Sequence, residues 1–142
     1  MITVLFGGSR PEGNTAHLTK AAIAGYDYEW IDLTQYQLNP VRDVRHDNKV
    51  IESYNDDYKE IIDKVLASET IIIASPVYWY SLSASVKAFF DHWSETLMDP
   101  NYKNFKEEMA KKDFRLIIVG GDFPKVKGKP CITQVKYSLE FI

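Results

Sequence analysis

Three short stretches carry the residue types that bind anions and flat rings. The first is Gly7-Gly8-Ser9-Arg10-Pro11-Glu12-Gly13-Asn14-Thr15, directly ahead of a helical pattern. Glycines let backbone approach an anion, and a helix N-terminus aims unpaired N–H groups at it. Ser9, Asn14 and Thr15 add neutral donors, and Arg10 adds charge. The stretch is neither a Walker loop, since no Lys-Ser/Thr pair ends it, nor a G-x-G-x-x-G dinucleotide loop. A plain Gly-rich turn capped by Asn14 is the competing reading. The second stretch is Ser75-Pro76-Val77-Tyr78-Trp79-Tyr80-Ser81-Leu82-Ser83. Three consecutive aromatics cannot all enter one core, so at least one is expected to face solvent or a ligand. Aromatic faces beside backbone amides suit a flat heteroaromatic ring; packing against a neighbouring chain competes. The third, Gly120-Gly121-Asp122-Phe123-Pro124, is followed by Lys125, Lys127 and Lys129. Those lysines suit the phosphate of a second cofactor, or simply a flexible surface loop.

These stretches lie where strands should end. Ile2–Phe6 is a short apolar run stopped by glycines, and a helix is expected from Asn14 until Gly25. Tyr28–Leu33 reads as a second strand. Residues 34–53 form a long polar connection, of a length usually functional or mobile. Tyr58, Ile61, Ile62 and Val65 mark a helix, with Glu60 and Lys64 as an i,i+4 pair. Thr70–Ala74 is a buried strand. Leu82, Val86, Phe89, Phe90, Trp93 and Leu97 predict one helix through 82–97, with the aromatics as packing residues. Phe114–Val119 is a fourth strand, and a last helix begins near 131. Repeated strand–helix alternation predicts an α/β fold, a parallel sheet covered on both faces. Ligands of such sheets sit beyond the carboxyl ends of the strands. One domain, 1–142, is expected.

Composition narrows the function. The chain has 142 residues, 45% apolar and 26% charged, within the globular range. Residues 1–101 carry 8 Lys+Arg against 15 Asp+Glu, and residues 102–142 carry 9 against 5. The acidic balance argues against nucleic acid as partner. Apolar runs are too short for a membrane span. Met1 leads straight into a strand, so no leader is expected and a cytoplasmic location is. Cys131 is the single cysteine. It excludes an intramolecular disulfide and a cysteine-held metal cluster, and a buried, unreactive thiol is expected. His17, His46 and His92 are too scattered for a metal site. His17 and His92 are expected at helix surfaces or caps, and His46 in a solvated loop.

Taken together, G-S-R-P-E-G-N-T at 8–15, S-P-V-Y-W-Y-S-L-S-A at 75–84 with K-A-F-F-D-H-W at 87–93, and G-G-D at 120–122 resemble the NADPH-dependent FMN reductase family of the flavodoxin-like fold. The branch they resemble is that of small NAD(P)H-dependent oxidoreductases related to iron–sulfur flavoproteins. The resemblance implies a three-layer sandwich with sheet order 2-1-3-4-5. It implies that Ser9, Arg10, Gly13, Asn14 and Thr15 hold the FMN phosphate. Pro76, Val77, Tyr78, Trp79 and Ser81 would frame the ring and ribityl chain, and Gly120, Gly121 and Asp122 would approach the ring's polar edge. Residues 34–53 hold no cysteine, so no iron–sulfur cluster is expected.

The implied activity is an FMN-dependent NAD(P)H oxidoreductase that passes electrons to a quinone, free flavin or similar acceptor. A non-enzymatic flavin-binding or electron-transfer module is the alternative, as is a shortened apo relative acting as an interaction domain. A phosphatase would need a cysteine in the first loop, and a receiver domain would need acidic residues after the first strand. The fifth strand and helix of the fold are not found in these residues. The fourth strand is therefore expected at an edge, and a homodimer or higher oligomer is expected to cover it.

Overall fold

The computed structural model describes residues 1–44, 46 and 55–142. Four strands, β1 (Ile2–Phe6), β2 (Tyr28–Asp32), β3 (Thr70–Pro76) and β4 (Asp113–Val119), form one parallel sheet in the order β2-β1-β3-β4. This is the order the resemblance implies. Seven helices accompany them among the described residues. They are α1 (Asn14–Ala22), α2 (Tyr58–Ala67), α3 (Ala84–Asp91), α4 (Trp93–Thr96), α5 (Phe105–Met109), α6 (Pro124–Lys127) and α7 (Lys129–Phe141).

Strand alternation decides the layers, because successive side chains leave opposite faces. Leu5, Ile31, Ile71 and Ile73 point to one face and pack with Ile61, Ile62, Val86, Phe89, Trp93, Phe105 and Val135 of the helices there. Val4, Phe6, Ile72 and Ala74 point to the other face and meet Ala16 of α1. Burying both faces is what makes these strands near-continuous apolar runs. Glu60 and Lys64 pair at 2.9 Å, as their spacing predicts.

Four expectations need correction. The helix over 82–97 is two pieces, α3 and α4, meeting at His92. His92 is not at the surface but 2% exposed. Its ring stacks on Tyr58 at 4.6 Å, its Nε2 lies 2.9 Å from Asp56 Oδ2 and its Nδ1 lies 2.8 Å from the Ala88 carbonyl. Burial is tolerable because both ring nitrogens meet acceptors. The carboxylate that permits it, Asp56, precedes α2 and is distant in sequence. Asn14 is not the cap of α1 but its first residue. Gly13 takes the cap position, and no side chain caps the helix. Finally, residues 124–127 form the short α6 rather than a flexible loop, started by Pro124. His17 and His46 are exposed and Cys131 is buried, as expected. Of the long connection after β2, residues 45 and 47–54 lie outside the described residues.

Candidate functional site

The parallel register brings the ends of β1, β3 and β4 to one edge, so the three loops leaving them must converge. Gly7 N–H still donates to the Ala74 carbonyl (2.9 Å), and Val77 N–H to the Val119 carbonyl (2.8 Å). Beyond these bonds the chains separate around a cleft of about 910 Å³. That volume lies within the range of small-molecule sites.

The first loop is pinned by close approach. A Cβ on Gly7 would sit 2.3 Å from Val86 Cγ2 and 2.5 Å from Ser83 Oγ, so only glycine lets the loop pass the start of α3. The loop then turns through a bond from Gly13 N–H to the Arg10 carbonyl (3.0 Å) and enters α1. No side chain caps α1 and no acidic residue sits in its first turn, which leaves N–H groups available to an anion. Glu12, the loop's one carboxylate, pairs instead with Lys20 at 3.2 Å. Ser9, Arg10, Gly13, Asn14 and Thr15 all line the cleft.

The opposite wall is a narrow slot between two backbones. Pro76, Val77 and Tyr78 line one side, and Gly120 and Gly121 the other. A Cβ on Gly120 would come within 3.2 Å of Val77 Cβ, whereas one on Gly121 would meet nothing within 4 Å. A side chain at 120 would therefore begin to fill the slot. Tyr78 spans from this wall to the first loop, its hydroxyl 2.9 Å from Ser9 Oγ.

The aromatic run is a tight two-residue turn. Tyr78 and Ser81 exchange both backbone hydrogen bonds at 3.0 Å, while Trp79 and Tyr80 adopt φ of 49° and 63°. Both central residues at positive φ is the primed hairpin geometry, normally given to Gly or Asn. The turn fans its side chains outward: Trp79 is 94% exposed, and Tyr78 and Tyr80 are about half exposed. Tyr80 OH donates to Asp122 Oδ2 (2.9 Å), and Lys127 Nζ donates to the same oxygen (2.6 Å). Those two donors, Lys127 first, hold the Asp122 carboxyl below its ordinary value, and the carboxylate in turn raises Lys127. Behind the turn, Cys131 Sγ lies 3.7 Å from the Tyr80 carbonyl. Burial pushes that thiol up, away from a reactive thiolate.

Ten of the thirteen residues named from the sequence thus share one cleft. The other three do not line it. Trp79 and Asp122 line an adjoining cavity of about 340 Å³, together with Tyr80 and Lys127. Ser81 turns away, its Oγ 3.4 Å from Gln134 Oε1. Sequence reasoning missed Tyr80 and Lys127 as a pair. The signal was there in the five-residue spacing of Asp122 and Lys127, but the Tyr80 contact is tertiary.

The cleft suits a flavin mononucleotide. It has one anion position at an uncapped helix start and one apolar slot walled by backbone, at a distance from each other along the same edge. Among the described residues no group of three or more His, Cys, Asp or Glu could hold a metal ion, and no helix is long and apolar enough to cross a membrane.

Comparison with known proteins agrees with this geometry. Residues 1–124 match the family model described as NADPH-dependent FMN reductase. The chain is 41% identical over 141 residues to YwqN of Bacillus subtilis (strain 168), which carries the name of an NAD(P)H-dependent FMN-containing oxidoreductase. The match covers 99% of this chain and 78% of that one. It is 34% identical over 93 residues to the iron–sulfur flavoprotein MJ1083 of Methanocaldococcus jannaschii, covering 60% of this chain and 47% of the relative. Among solved structures, the Trp repressor binding protein from Bacillus subtilis superposes with a TM-score of 0.80 at 37% identity, covering 99% of this chain and 79% of that one.

Proposed function

The chain belongs to the NADPH-dependent FMN reductase family, and from that premise we propose that residues 1–142 act as one FMN-binding domain of an NAD(P)H-dependent oxidoreductase. FMN, when bound, supplies the redox chemistry, accepting hydride from the nicotinamide and passing electrons to a small acceptor of the quinone type. The protein's part is to bind, orient and exclude water. The N–H groups opening α1, with Ser9, Asn14, Thr15 and the Arg10 guanidinium, hold the phosphate. The slot between Pro76–Tyr78 and Gly120–Gly121 holds the ring, and its backbone groups are the donors and acceptors for the ring edge. No side chain is given a proton-transfer role, because hydride transfer to a flavin needs position and a dry site rather than an acid–base pair.

The observation that carries this reading is the uncapped start of α1, with no acidic residue in its first turn, facing a cleft whose far wall is the Val77–Gly120 slot. Titration of the apoprotein with FMN, FAD and riboflavin tests it. FMN is expected to bind much more tightly than riboflavin, since only FMN fills the anion position. Equal affinity for the two would refute the phosphate assignment. Asn14→Ala is expected to weaken FMN without the cost of a lost cap, because Gly13 already holds the cap position. Steady NADPH oxidation with a quinone acceptor separates the enzyme from a plain electron-transfer module.

A further inference from the structure

His92 is buried at the junction of α3 and α4, away from the residues that line the cleft. Both of its ring nitrogens face acceptors: Nδ1 lies 2.8 Å from the Ala88 carbonyl, and Nε2 lies 2.9 Å from Asp56 Oδ2. A neutral imidazole has one N–H and one bare nitrogen, so it can serve only one of the two. Asp56 accepts on both oxygens, taking the Tyr58 N–H at Oδ1 (3.0 Å) and the Asn39 N–H at Oδ2 (2.8 Å). Two acceptors call for two N–H groups, and so for an imidazolium.

We propose that His92 holds a hydrogen on both ring nitrogens, and that the second proton pins residues 37–44 to the α3–α4 junction, so that its loss releases this strap. The proposal is independent of what the cleft binds. The strap is tied to the segment ahead of α2. Gln37 N–H donates to Asp57 Oδ2 (2.7 Å), and Asn39 Nδ2 donates to the Asn55 carbonyl (2.8 Å). Asp56 is thus shared by the strap, the start of α2 and His92. Leu38 packs on the core, but residues 40–44 stand across a cavity of about 360 Å³ from Asp91, Ser94, Glu95 and Met98. With open space on that side, the Asp56–His92 contact carries much of the hold.

The charges around the ring explain why one proton matters. Asp56 comes from ahead of α2, and Glu95 from α4 with its Oε2 3.7 Å from Nε2. Tyr58 of α2 stacks on the ring and turns its hydroxyl to Thr96 Oγ1 (2.5 Å). On α3 itself the Asp91 carboxylate is paired with Lys87. Arg42 and Asp43 of the strap line the cavity beside Glu95. Burial raises the Glu95 carboxyl, and His92 opposes that rise. A proton lost from His92 leaves Asp56 and Glu95 with no cation between them and sets a bare ring nitrogen against an acceptor. An uncompensated buried charge of this kind is costly, and movement of Asp56 and the strap toward water relieves it.

NMR on the isotope-labelled full chain tests the proposal. Long-range proton–nitrogen correlation reads which ring nitrogens carry hydrogen, and His17→Gln and His46→Gln assign the other two rings. Amide exchange on the same sample, corrected for the intrinsic rate, reads protection at Asn39 and Tyr58. At neutral pH His92 is expected to be doubly protonated. As pH rises and the second proton leaves, protection at Asn39 is expected to fall about tenfold, the loss of one charge-assisted hydrogen bond. Ile72 and Ile73 of β3 are expected to keep theirs. Glu95→Gln removes a carboxylate beside the ring, so release is expected at lower pH. His92→Gln has no ring to titrate, so the pH step is expected to vanish. If that variant does not fold, Glu95→Gln still decides, because its side chain lines the cavity rather than the core. A neutral tautomer at neutral pH overturns the proposal. So does Asn39 protection that stays constant while the second proton leaves, a second proton retained until the whole fold opens, or a release unmoved in Glu95→Gln.

Discussion

Two aromatic groups only nine residues apart meet opposite fates. Phe89, Phe90 and Trp93 are at most 9% exposed; Phe89 packs edge to face with the other two, and Phe90 and Trp93 lie tilted with centroids 4.5 Å apart. Tyr78, Trp79 and Tyr80 are about half exposed or more. Composition does not separate them; backbone does. On α3 and α4 the spacing i, i+1, i+4 turns all three rings toward the sheet. In the hairpin, two consecutive residues at positive φ splay three rings outward. The first group contributes its burial to stability. The second costs stability through strain, and that cost is evidence of a task outside the core.

The largest expected effect deepens this contrast. Phe89→Ala removes a ring that is 1% exposed and is expected to cost about 3–5 kcal/mol in chemical denaturation. A cost near zero would mean that the helix does not pack as described.

Next comes the buried polar contact beside that core. His92→Ala leaves the Asp56 carboxylate buried without the imidazole. The Asn39 and Tyr58 N–H groups still donate to it, at 2.8 and 3.0 Å. The expected loss is about 3 kcal/mol, the low end for breaking a buried pair. A variant as stable as the parent would place His92 back at the surface.

The hairpin should respond with the opposite sign. Trp79→Gly relieves a positive φ and buries nothing less, so stability is expected to rise by roughly 0.5–1 kcal/mol, net of the entropy glycine adds to the unfolded chain. A clear loss in thermal unfolding would show that the indole packs in solution and would erase the contrast between the groups.

The smallest effect is in pH. The Asp122 carboxyl is held below its ordinary value of 3.8 by Lys127 and Tyr80. A lowered folded-state value means the latch contributes fully above pH 3.8 and is lost as pH falls through the lower value. Tyrosine fluorescence or exchange at residues 78–81 is therefore expected to be flat from neutral pH down to about 4 and to change only below it. Asp122→Asn should abolish that acid step. A step near pH 6 would assign the latch to another group.

Much was legible in the residues themselves. Alternation of apolar strands with helical spacing dictated the doubly wound sheet, because each β–α unit can bury its apolar stripe in only one handed way. Gly7–Thr15 and Ser75–Ser83 marked the edge where the cleft opens, because glycine freedom and crowded aromatics leave local traces. The tertiary structure alone decided three things. It buried His92, since Asp56 reaches it across 36 positions of sequence. It moved the cap of α1 from Asn14 to Gly13, since the loop's path past Val86 and Ser83 sets where the helix begins. And it divided twelve of the thirteen candidate residues between two adjoining spaces and turned Ser81 away from both, because the direction of a side chain on a strained turn depends on Ser9, Asp122, Cys131 and Gln134 gripping it from three other elements. Local sequence carries propensity; the direction of these side chains depends on long-range contacts that no local window contains.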